Sequence, residues 1–390
     1  MKKSLIFAAI AAVALSACAK FETFTNTDSD NAVRFGVYSG KMAITRATYG
    51  DIDTDALKAS EDGFGVFAYY TKDEEWNDAK ASATPNFMYN QQVTWSGSKW
   101  VYSPLKYWPN GTNSTTVETG TREDMITFFA YAPQIAKDSL GKVPATGQGI
   151  TAMSANSATG APTLTFTVPA KAEEQIDLLW ATPDTNMVKP HIDTAVKFTF
   201  HHALAKLNYQ VVAVVEDTDT LTAALDAATT IVLESLEVKA ADTKTGTLSL
   251  YDGSWSAKSD TSVVTYNVDS FADTDTTTVN GKTGFNVTET IKDLNPDVSP
   301  MIIPGEVATG KYVVTANYWV ITEDDALADG FSTVQQVIKK ASTAAITFEA
   351  GKKYTILVKF GLADIDFDVK AIDDWTDEDG DPIDLPVNND

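Results

Sequence analysis

Side chains that commonly carry out chemistry are scarce in this sequence. The three histidines are His191, which follows Pro190, and the adjacent pair His201 and His202. Neighbouring residues of a strand point to opposite faces, so this pair is predicted not to share one site. The sequence contains neither a GxSxG nor an HExxH motif, and pairs of carboxylates are too common in so acidic a chain to indicate catalysis. These observations argue against an enzyme and indicate no cofactor.

The remaining residue with a distinctive chemistry is Cys18, the only cysteine of the chain. Lys2 and Lys3 precede an apolar stretch from Leu5 to Leu15, which is too short to span a bilayer and indicates a cleaved signal segment. The small residues Ser16 and Ala17 before the cysteine complete a lipobox, whose thiol is acylated; the alternative is an ordinary signal peptide with a chance cysteine. We predict a signal peptide over residues 1–17 and lipid attachment at Cys18, which would anchor the chain to a membrane.

The charge balance narrows the range of partners. The chain has 30 Lys and Arg against 53 Asp and Glu, a net charge of −23, which repels phosphate backbones and anionic lipid heads. Nucleic acid is therefore not an expected partner. The run Asp377-Glu378-Asp379-Gly380-Asp381 offers carboxylates to Ca²⁺, but its glycine lies at the fourth place and the spacing of an EF-hand loop is absent. We expect a solvated turn there and no metal site.

The elements that would position any functional residue are predicted to be almost entirely β-strands. Alternating apolar residues or short apolar runs, bounded by turn residues, predict strands at 33–37, 64–70, 87–93, 125–131, 164–168, 176–181, 196–200, 231–238, 247–251, 263–268, 312–320, 345–348 and 354–360. Short helices are expected at 220–228 and 332–340, and loops at 143–160 and 272–283. The expected fold class is all-β, with two tandem β-sandwich domains over residues 47–195 and 196–390.

Four stretches of this sequence resemble the fimbrillin family, the type V pilins of Bacteroidetes. They are Gly63 to Tyr70; the block from Phe87 to Pro109 together with Phe128 to Pro133; Asp177 to Ala181 followed by Phe198 to Leu207; and Gly351 to Leu362. They occur in the order of the family and follow the lipobox. The resemblance implies sandwich domains of Greek-key, transthyretin-like topology and a structural subunit of a fimbria.

The resemblance also implies a route of maturation. In the family, an Arg-specific protease removes an amino-terminal segment, and a strand from a neighbouring subunit enters the vacated groove. Ile44-Thr45-Arg46-Ala47 is similar to the cleavage site, so the resemblance assigns the cut to the bond between Arg46 and Ala47. Residues 18–46 would then be a propeptide, and the removable strand would carry Val33, Phe35 and Val37. The implied partners are other pilin subunits, the protease, the outer membrane through the lipid, and a host or bacterial surface ligand.

Two carboxyl-terminal segments have the alternation that a donor strand needs. One contains Ile365, Phe367 and Val369 and the other contains Ile383, Leu385 and Val387, in which Pro386 removes one backbone donor. The first segment could instead be the last native strand of the second domain, in which case the acidic tail from Trp375 to Asp390 would be the donor. A monomeric surface lipoprotein that binds a glycan or a protein is the alternative function. A cleavable strand together with an extended acidic tail favours a stalk subunit over a tip or anchor subunit.

Overall fold

The structure of the chain is a computed structural model that describes residues 32–39, 54–109, 124–169, 174–189, 195–214, 225–240, 244–259, 264–268, 275–294, 300–332, 335–343, 345–372 and 387–388. Helices are few in these ranges: α1 (Thr54–Ala59), α2 (Trp76–Ala79) and a 3₁₀ turn at Lys137–Ser139. In the described part of the chain, neither α-helix has the length or apolar character needed to cross a bilayer.

The strands of the amino-terminal half are β1 (Phe35–Ser39), β2 (Phe64–Lys72), β3 (Met88–Trp95), β4 (Trp100–Val101), β5 (Met125–Ala132), β6 (Gly149–Met153), β7 (Thr163–Thr167), β8 (Leu179–Ala181), β9 (Asp184–Met187), β10 (Val196–His202) and β11 (Ala205–Ala213). The strands of the carboxyl-terminal half are β12 (Thr229–Ala240), β13 (Thr245–Ser249), β14 (Trp255–Ser259), β15 (Val264–Val268), β16 (Thr276–Val279), β17 (Lys282–Val287), β18 (Lys292–Asp293), β19 (Met301–Ile302), β20 (Gly305–Val307), β21 (Tyr312–Thr322), β22 (Gln335–Thr343), β23 (Ile346–Phe348), β24 (Lys353–Phe360), β25 (Ile365–Ile372) and β26 (Val387–Asn388).

The predicted all-β class is confirmed, but one expected helix and two expected loops are wrong, and several short strands were not predicted, among them β9, β14 and β20. The expected helix at 332–340 is wrong, because this segment forms β22 and pairs with β21 from Val313 to Val320. The loop expected at 143–160 contains β6, and the loop expected at 272–283 contains β16 and the start of β17. The expected helix at 220–228 lies largely outside the described residues, and its described end, 225–228, is not helical.

The first sheet has the strand order β1-β10-β8-β5-β2-β3-β4, with β9 also paired to β5. Its central strands are buried on both faces: Phe64, Val66 and Ala68 of β2 enter one apolar cluster, whereas Phe67 and Tyr69 enter another. The second cluster is shared with β7 and β13 of a four-stranded sheet, order β14-β13-β7-β6. This double burial explains why β2 and β5 are nearly continuous apolar runs rather than strict alternations.

Two further sheets share the carboxyl-terminal core. They have the orders β18-β11-β24-β25, with β19 also paired to β11, and β16-β17-β12-β21-β22-β26, with β15 also paired to β12. One cluster contains buried residues of both sheets, and its contacts include rings on opposing strands, such as Tyr318 and Phe360 at 5.1 Å and Tyr312 and Phe367 at 6.1 Å. The remaining strands, β20 and β23, pair with each other.

Strand pairing crosses the expected boundary between residues 195 and 196 in two places. Strand β10 follows this boundary in sequence but pairs with β8 and β1 of the first sheet. Strand β13 lies farther along the chain but pairs with β7. The chain passes from the first sheet to the five-stranded sheet at Ala203 and Leu204, both buried. The two-domain division remains a prediction, and the first sheet continues at least to His202.

A tight turn places the start of β2 against β3, and it requires glycine. Gly63 has φ +57°, and a Cβ there would lie 2.0 Å from the carbonyl oxygen of Val93. Gly63→Ala should lower the free energy of unfolding by about 2–3 kcal/mol, because it combines left-handed strain with a clash against backbone. Gly97, at φ +90° with nothing within 4 Å, is the matched control, and Gly97→Ala should cost only about 1 kcal/mol. Denaturant unfolding followed by tryptophan fluorescence measures both; equal losses would contradict the role of the clash.

Candidate functional site

The segment of residues 32–39, which includes β1, connects the two ends of the first sheet. On one side it runs parallel to β10, with Phe35 opposite Val196 and Ser39 opposite Phe200. On the other side Ala32 forms an antiparallel bridge with Tyr107, which follows β4 in the chain. We call the space between β10 and residues 102–107 the β1 slot. Residues 32–39 occupy this slot and link strands that otherwise stand at opposite ends of the sheet order.

Hydrogen bonds hold the first residues of the occupying strand from both sides. The amide of Val33 donates to the carbonyl oxygen of Lys106 at 2.9 Å, and the amide of Val196 donates to that of Arg34 at 2.7 Å. The hydroxyl of Tyr102 donates to the carbonyl oxygen of Val33 at 2.8 Å and accepts from the amide of Lys106 at 3.3 Å. Successive residues therefore bond to opposite walls, as the backbone of an interior strand does.

The side chains of the same strand fill the core of the first sheet. Val33 and Phe35 are 0% and 1% exposed, and Val37 is half-buried against the same cluster. The ring of Phe35 lies among four other rings, which we call the four-ring cage; the distances between ring centroids are 5.6 Å to Phe198, 5.3 Å to Tyr102, 6.0 Å to Phe128 and 6.2 Å to Phe64. The slot is thus an apolar site shaped for an extended segment.

The burial of this strand is large relative to ordinary protein stability. At about 1.5–3 kcal/mol for each fully buried large side chain, Val33 and Phe35 contribute roughly 3–6 kcal/mol before backbone pairing is counted. Whole domains are stable by only about 5–15 kcal/mol. An empty slot would therefore be strongly unfavourable, and the first sheet needs an occupant.

We expect the stability of the occupied slot to fall at high pH because of Tyr102. Burial raises the pKa of Tyr102 to about 12, and its hydrogen bond with the backbone of Lys106 partly opposes that increase. Because the folded pKa lies above the ordinary value of 10.0, this stabilisation is complete below pH 10 and is lost as pH rises through 12. We expect part of the loss of stability at pH 10–12 to be absent in Tyr102→Phe. Denaturant titrations of both proteins at pH 8, 10 and 11.5 measure the difference, and parallel pH curves would contradict it.

The first predicted donor segment lies inside the carboxyl-terminal core. Ile365, Phe367 and Val369 are 3%, 0% and 2% exposed. Their strand, β25, pairs antiparallel with β24 along its entire length, from Ile365 opposite Phe360 to Ile372 opposite Lys353. The sequence left open whether this segment is a donor strand or a native strand. Its placement agrees with a native strand of the carboxyl-terminal core.

The second predicted donor segment is described only at its end. Val387 lies in β26 opposite Thr343 of β22, and Asn388 lies opposite Ser342. Ile383 and Leu385 lie outside the described residues, as do the acidic run at 377–381, Cys18 and the Arg46–Ala47 bond. The predicted lipidation and cleavage sites therefore stay predictions.

The two adjacent histidines lie on opposite faces of β10. His202 is buried, and its Nδ1 lies 3.0 Å from Oδ1 and 2.9 Å from Oδ2 of Asp177. His201 faces outward, stacks on Trp180 at 5.2 Å and contacts the hydroxyl of Thr182 at 2.9 Å; burial, followed by the neighbouring His202, lowers the pKa of His201. Among the described residues, no group of three His, Cys, Asp or Glu is arranged to hold a metal ion. Both histidines contact neighbouring side chains of the protein.

The sequence analysis predicted the strand that occupies the slot but not the residues that line it. Phe64, Phe128 and Phe198 lie in strands that were predicted correctly, yet nothing local shows that they meet Phe35. Tyr102 and Lys106 follow β4 and form one wall through backbone and hydroxyl groups. The only available signal was their place in the block that resembles the fimbrillin family.

Comparisons with known proteins agree with this resemblance. A model of the fimbrillin-like family matches residues 45–375. Fimbrium subunit Fim1C of Phocaeicola vulgatus is 35% identical over 210 residues, which are 53% of this chain and 50% of that protein. The chain thus matches about half the length of this curated relative. The crystal structure of a fimbrial protein from Bacteroides vulgatus superposes with a TM-score of 0.69 at 26% identity, covering 89% of this chain and all of that one. Because the family model spans most of the sequence, the chain belongs to the fimbrillin-like family.

Proposed function

We propose that this chain is a subunit of a cell-surface fimbrium that assembles by strand exchange and supports adhesion. One observation carries the proposal: residues 32–39, which include β1, fill an apolar slot in the first sheet with Val33 and Phe35. A slot of this kind can accept an extended segment from another chain by β-strand addition. The family membership and the name of the relative Fim1C support the same role.

Maturation would convert this occupied slot into a binding site. In this proposal the chain is exported as an outer-membrane lipoprotein acylated at Cys18, and an Arg-specific protease cuts between Arg46 and Ala47. In the sequence this bond lies between β1, which ends at Ser39, and α1, which begins at Thr54. The cut would leave β1 held only by non-covalent contacts, so that it could leave the slot and a neighbouring subunit could supply a strand.

The carboxyl-terminal tail is the proposed donor. Withdrawing β25 would expose Ile365, Phe367 and Val369 and break a ladder of eight residue pairs, a cost comparable to that of emptying the slot itself. The tail that carries Ile383, Leu385 and Val387 is described only at β26, where two residue pairs join it to β22. Its release at this point would cost far less, and its apolar residues have the same spacing as Val33, Phe35 and Val37.

The tryptophans of the first sheet do not favour a glycan-stacking surface. Trp100 and Trp108 are 6% and 4% exposed, as the sequence predicted for core residues. Trp95 is half-buried against Trp100 at 5.3 Å, and the ammonium group of Lys58 lies over its ring at 4.7 Å. A monomeric glycan-binding lipoprotein therefore gains no support from these side chains.

Limited digestion of the full chain with an Arg-specific protease tests the proposal. We expect release of a fragment that ends at Arg46, followed by a ladder of oligomers on gels run without heating. An excess of a synthetic peptide with the sequence of residues 32–39 should suppress the ladder, because it competes for the slot. A cut chain that stays monomeric over a range of concentrations and temperatures would overturn strand exchange.

A further inference from the structure

One end of the β1 slot contains two features that contact different parts of an occupying strand. Tyr102 bonds to a backbone carbonyl, that of residue 33, and the four-ring cage holds the side chain two positions later, that of Phe35. A hydroxyl that bonds to backbone can hold a strand of any sequence, whereas the cage depends on the side chain. We propose that Tyr102 anchors the backbone of the strand that occupies the slot, and that the cage fixes the register of that strand by selecting an aromatic side chain two residues farther along.

The need for a register device follows from strand geometry. A shift of one residue would turn Arg34 and Gly36 toward the core and Phe35 toward solvent, because the side-chain period of a strand is two. The pairing with β10 covers five residue pairs and uses backbone groups that every residue has, so recognition of a side chain must set the register. Tyr102 adds a contact from the opposite wall, and its hydroxyl is itself positioned by the amide of Lys106.

The cage gives the slot a preference among peptide sequences. Stacked and edge-on rings surround Phe35 at centroid distances from 5.3 to 6.2 Å, and such aromatic pairs add to simple burial. A leucine at this position would retain most of the burial and lose the ring contacts. An alanine would leave a cavity in the centre of the cluster. The preferred ligand is therefore an extended segment with an aliphatic residue, any residue and then an aromatic residue, as in Val33-Arg34-Phe35.

The same contacts predict how tightly the slot binds the proposed donor in comparison with β1. If the tail enters in the register of β1, Leu385 takes the place of Phe35 and Pro386 takes the place of Gly36. In the parallel ladder, the amide of Val196 donates to the carbonyl oxygen of residue 34. The next backbone bond between the strands is then donated by the amide of residue 36 to β10. A proline there has no amide to donate. The slot should thus hold the β1 sequence more tightly than a tail that enters in this direction.

Peptide uptake by the full chain after cleavage at Arg46 tests the inference, which rests on the proposed function. Fluorescent peptides carry residues 32–39 unchanged, with Phe35→Leu, or with Phe35→Ala, and a fourth carries residues 383–390. We expect affinity to fall about three- to tenfold for the leucine peptide and at least a hundredfold for the alanine peptide. The tail peptide should bind more weakly than the unchanged peptide. Equal affinities of the unchanged, leucine and alanine peptides would overturn the cage.

Variants of the protein test the role of Tyr102. Tyr102→Phe keeps the ring and removes only the hydroxyl, and we expect it to weaken binding of the unchanged peptide about three- to tenfold. Tyr251→Phe is the control, because Tyr251 is 39% exposed and lies outside the slot, and it should bind the peptide as the parent does. If both variants bind equally well, Tyr102 does not fix the strand.

A second measurement keeps the inference testable if the cut chain binds no peptide. In the uncut chain, Tyr102→Phe should raise the amide hydrogen exchange of residues 32–39 about three- to tenfold and leave β24 unchanged. Unchanged exchange at residues 32–39 would overturn the role of Tyr102. Ladders that grow regardless of Tyr102 and the cage would refute this inference alone. Tyr102-dependent peptide uptake by a cut chain that never forms ladders would instead refute the proposed assembly and support the inference.

Discussion

Arg46→Lys should leave the bond between residues 46 and 47 uncut by an Arg-specific protease and abolish the ladder of oligomers. The substitution preserves the positive charge, but the planar guanidinium with its fixed set of donors is replaced by a compact ammonium, which an Arg-specific pocket does not recognise equally. Assembly depends on the cut in the proposed mechanism, so the expected effect is all or none. The measurement is the time course of digestion and the oligomer ladder for the parent and the variant.

The other arginines provide the controls for this experiment. The sequence contains only Arg34, Arg46 and Arg122. Arg34 lies beside β1, and its carbonyl oxygen accepts a hydrogen bond from Val196 at 2.7 Å, so its peptide bond is held in the sheet and is a poor protease substrate. Arg122 has no role in the proposed mechanism, so Arg122→Lys should be cut after Arg46 and should assemble like the parent chain. Ladder formation by Arg46→Lys after protease treatment, or its loss in Arg122→Lys, would contradict the assignment of the cut.

Local alternation predicted most strands because it reports which faces of a strand are buried. It worked even for β2, where Phe64 and Phe67 enter different clusters and the apolar run is nearly continuous. It failed at 332–340, where Val334, Val337 and Ile338 have the spacing of a helix face. In the structure Val337 is buried and Ile338 is 64% exposed, which is the period of a strand. Pairing with β21 along eight residues outweighs a local pattern this short.

The walls of the slot could not be read from the sequence for a different reason. The occupying strand pairs in parallel with β10, and Phe35 and Val196 are distant in the chain. Local patterns specify which side of a strand is apolar, but they do not specify the partner or the direction of pairing. The same limit applies to β11 and β24, another parallel pair that joins distant segments. The resemblance to the family predicted that this strand is removable, and only the structure shows that Tyr102 and three phenylalanines contact it.

Phe35→Ala should destabilise the uncut chain by about 3–5 kcal/mol. The substitution removes a ring that is 1% exposed and leaves a cavity among the four rings of the cage. After cleavage at Arg46, a loss of about 3 kcal/mol lowers the affinity of the amino-terminal fragment for the slot by about two orders of magnitude. The fragment should then dissociate more readily. Denaturant unfolding measures the first effect, and size-exclusion chromatography of the cut protein, with mass spectrometry of the retained fragment, measures the second.

Phe367→Ala is the matched control, because it removes a buried ring from a strand that does not occupy the slot. Phe367 is 0% exposed and lies in β25 within an aliphatic-x-Phe-x-Val pattern like that of β1, but it packs in the carboxyl-terminal core against Tyr312. Its replacement should destabilise the chain by a similar amount and leave retention of the cut fragment unchanged. Phe35→Ala should destabilise the chain and also release the cut fragment, because only Phe35 lies in the segment that is proposed to leave. If both variants released the fragment equally, retention would depend on general stability, and the slot would not be the site that cleavage opens.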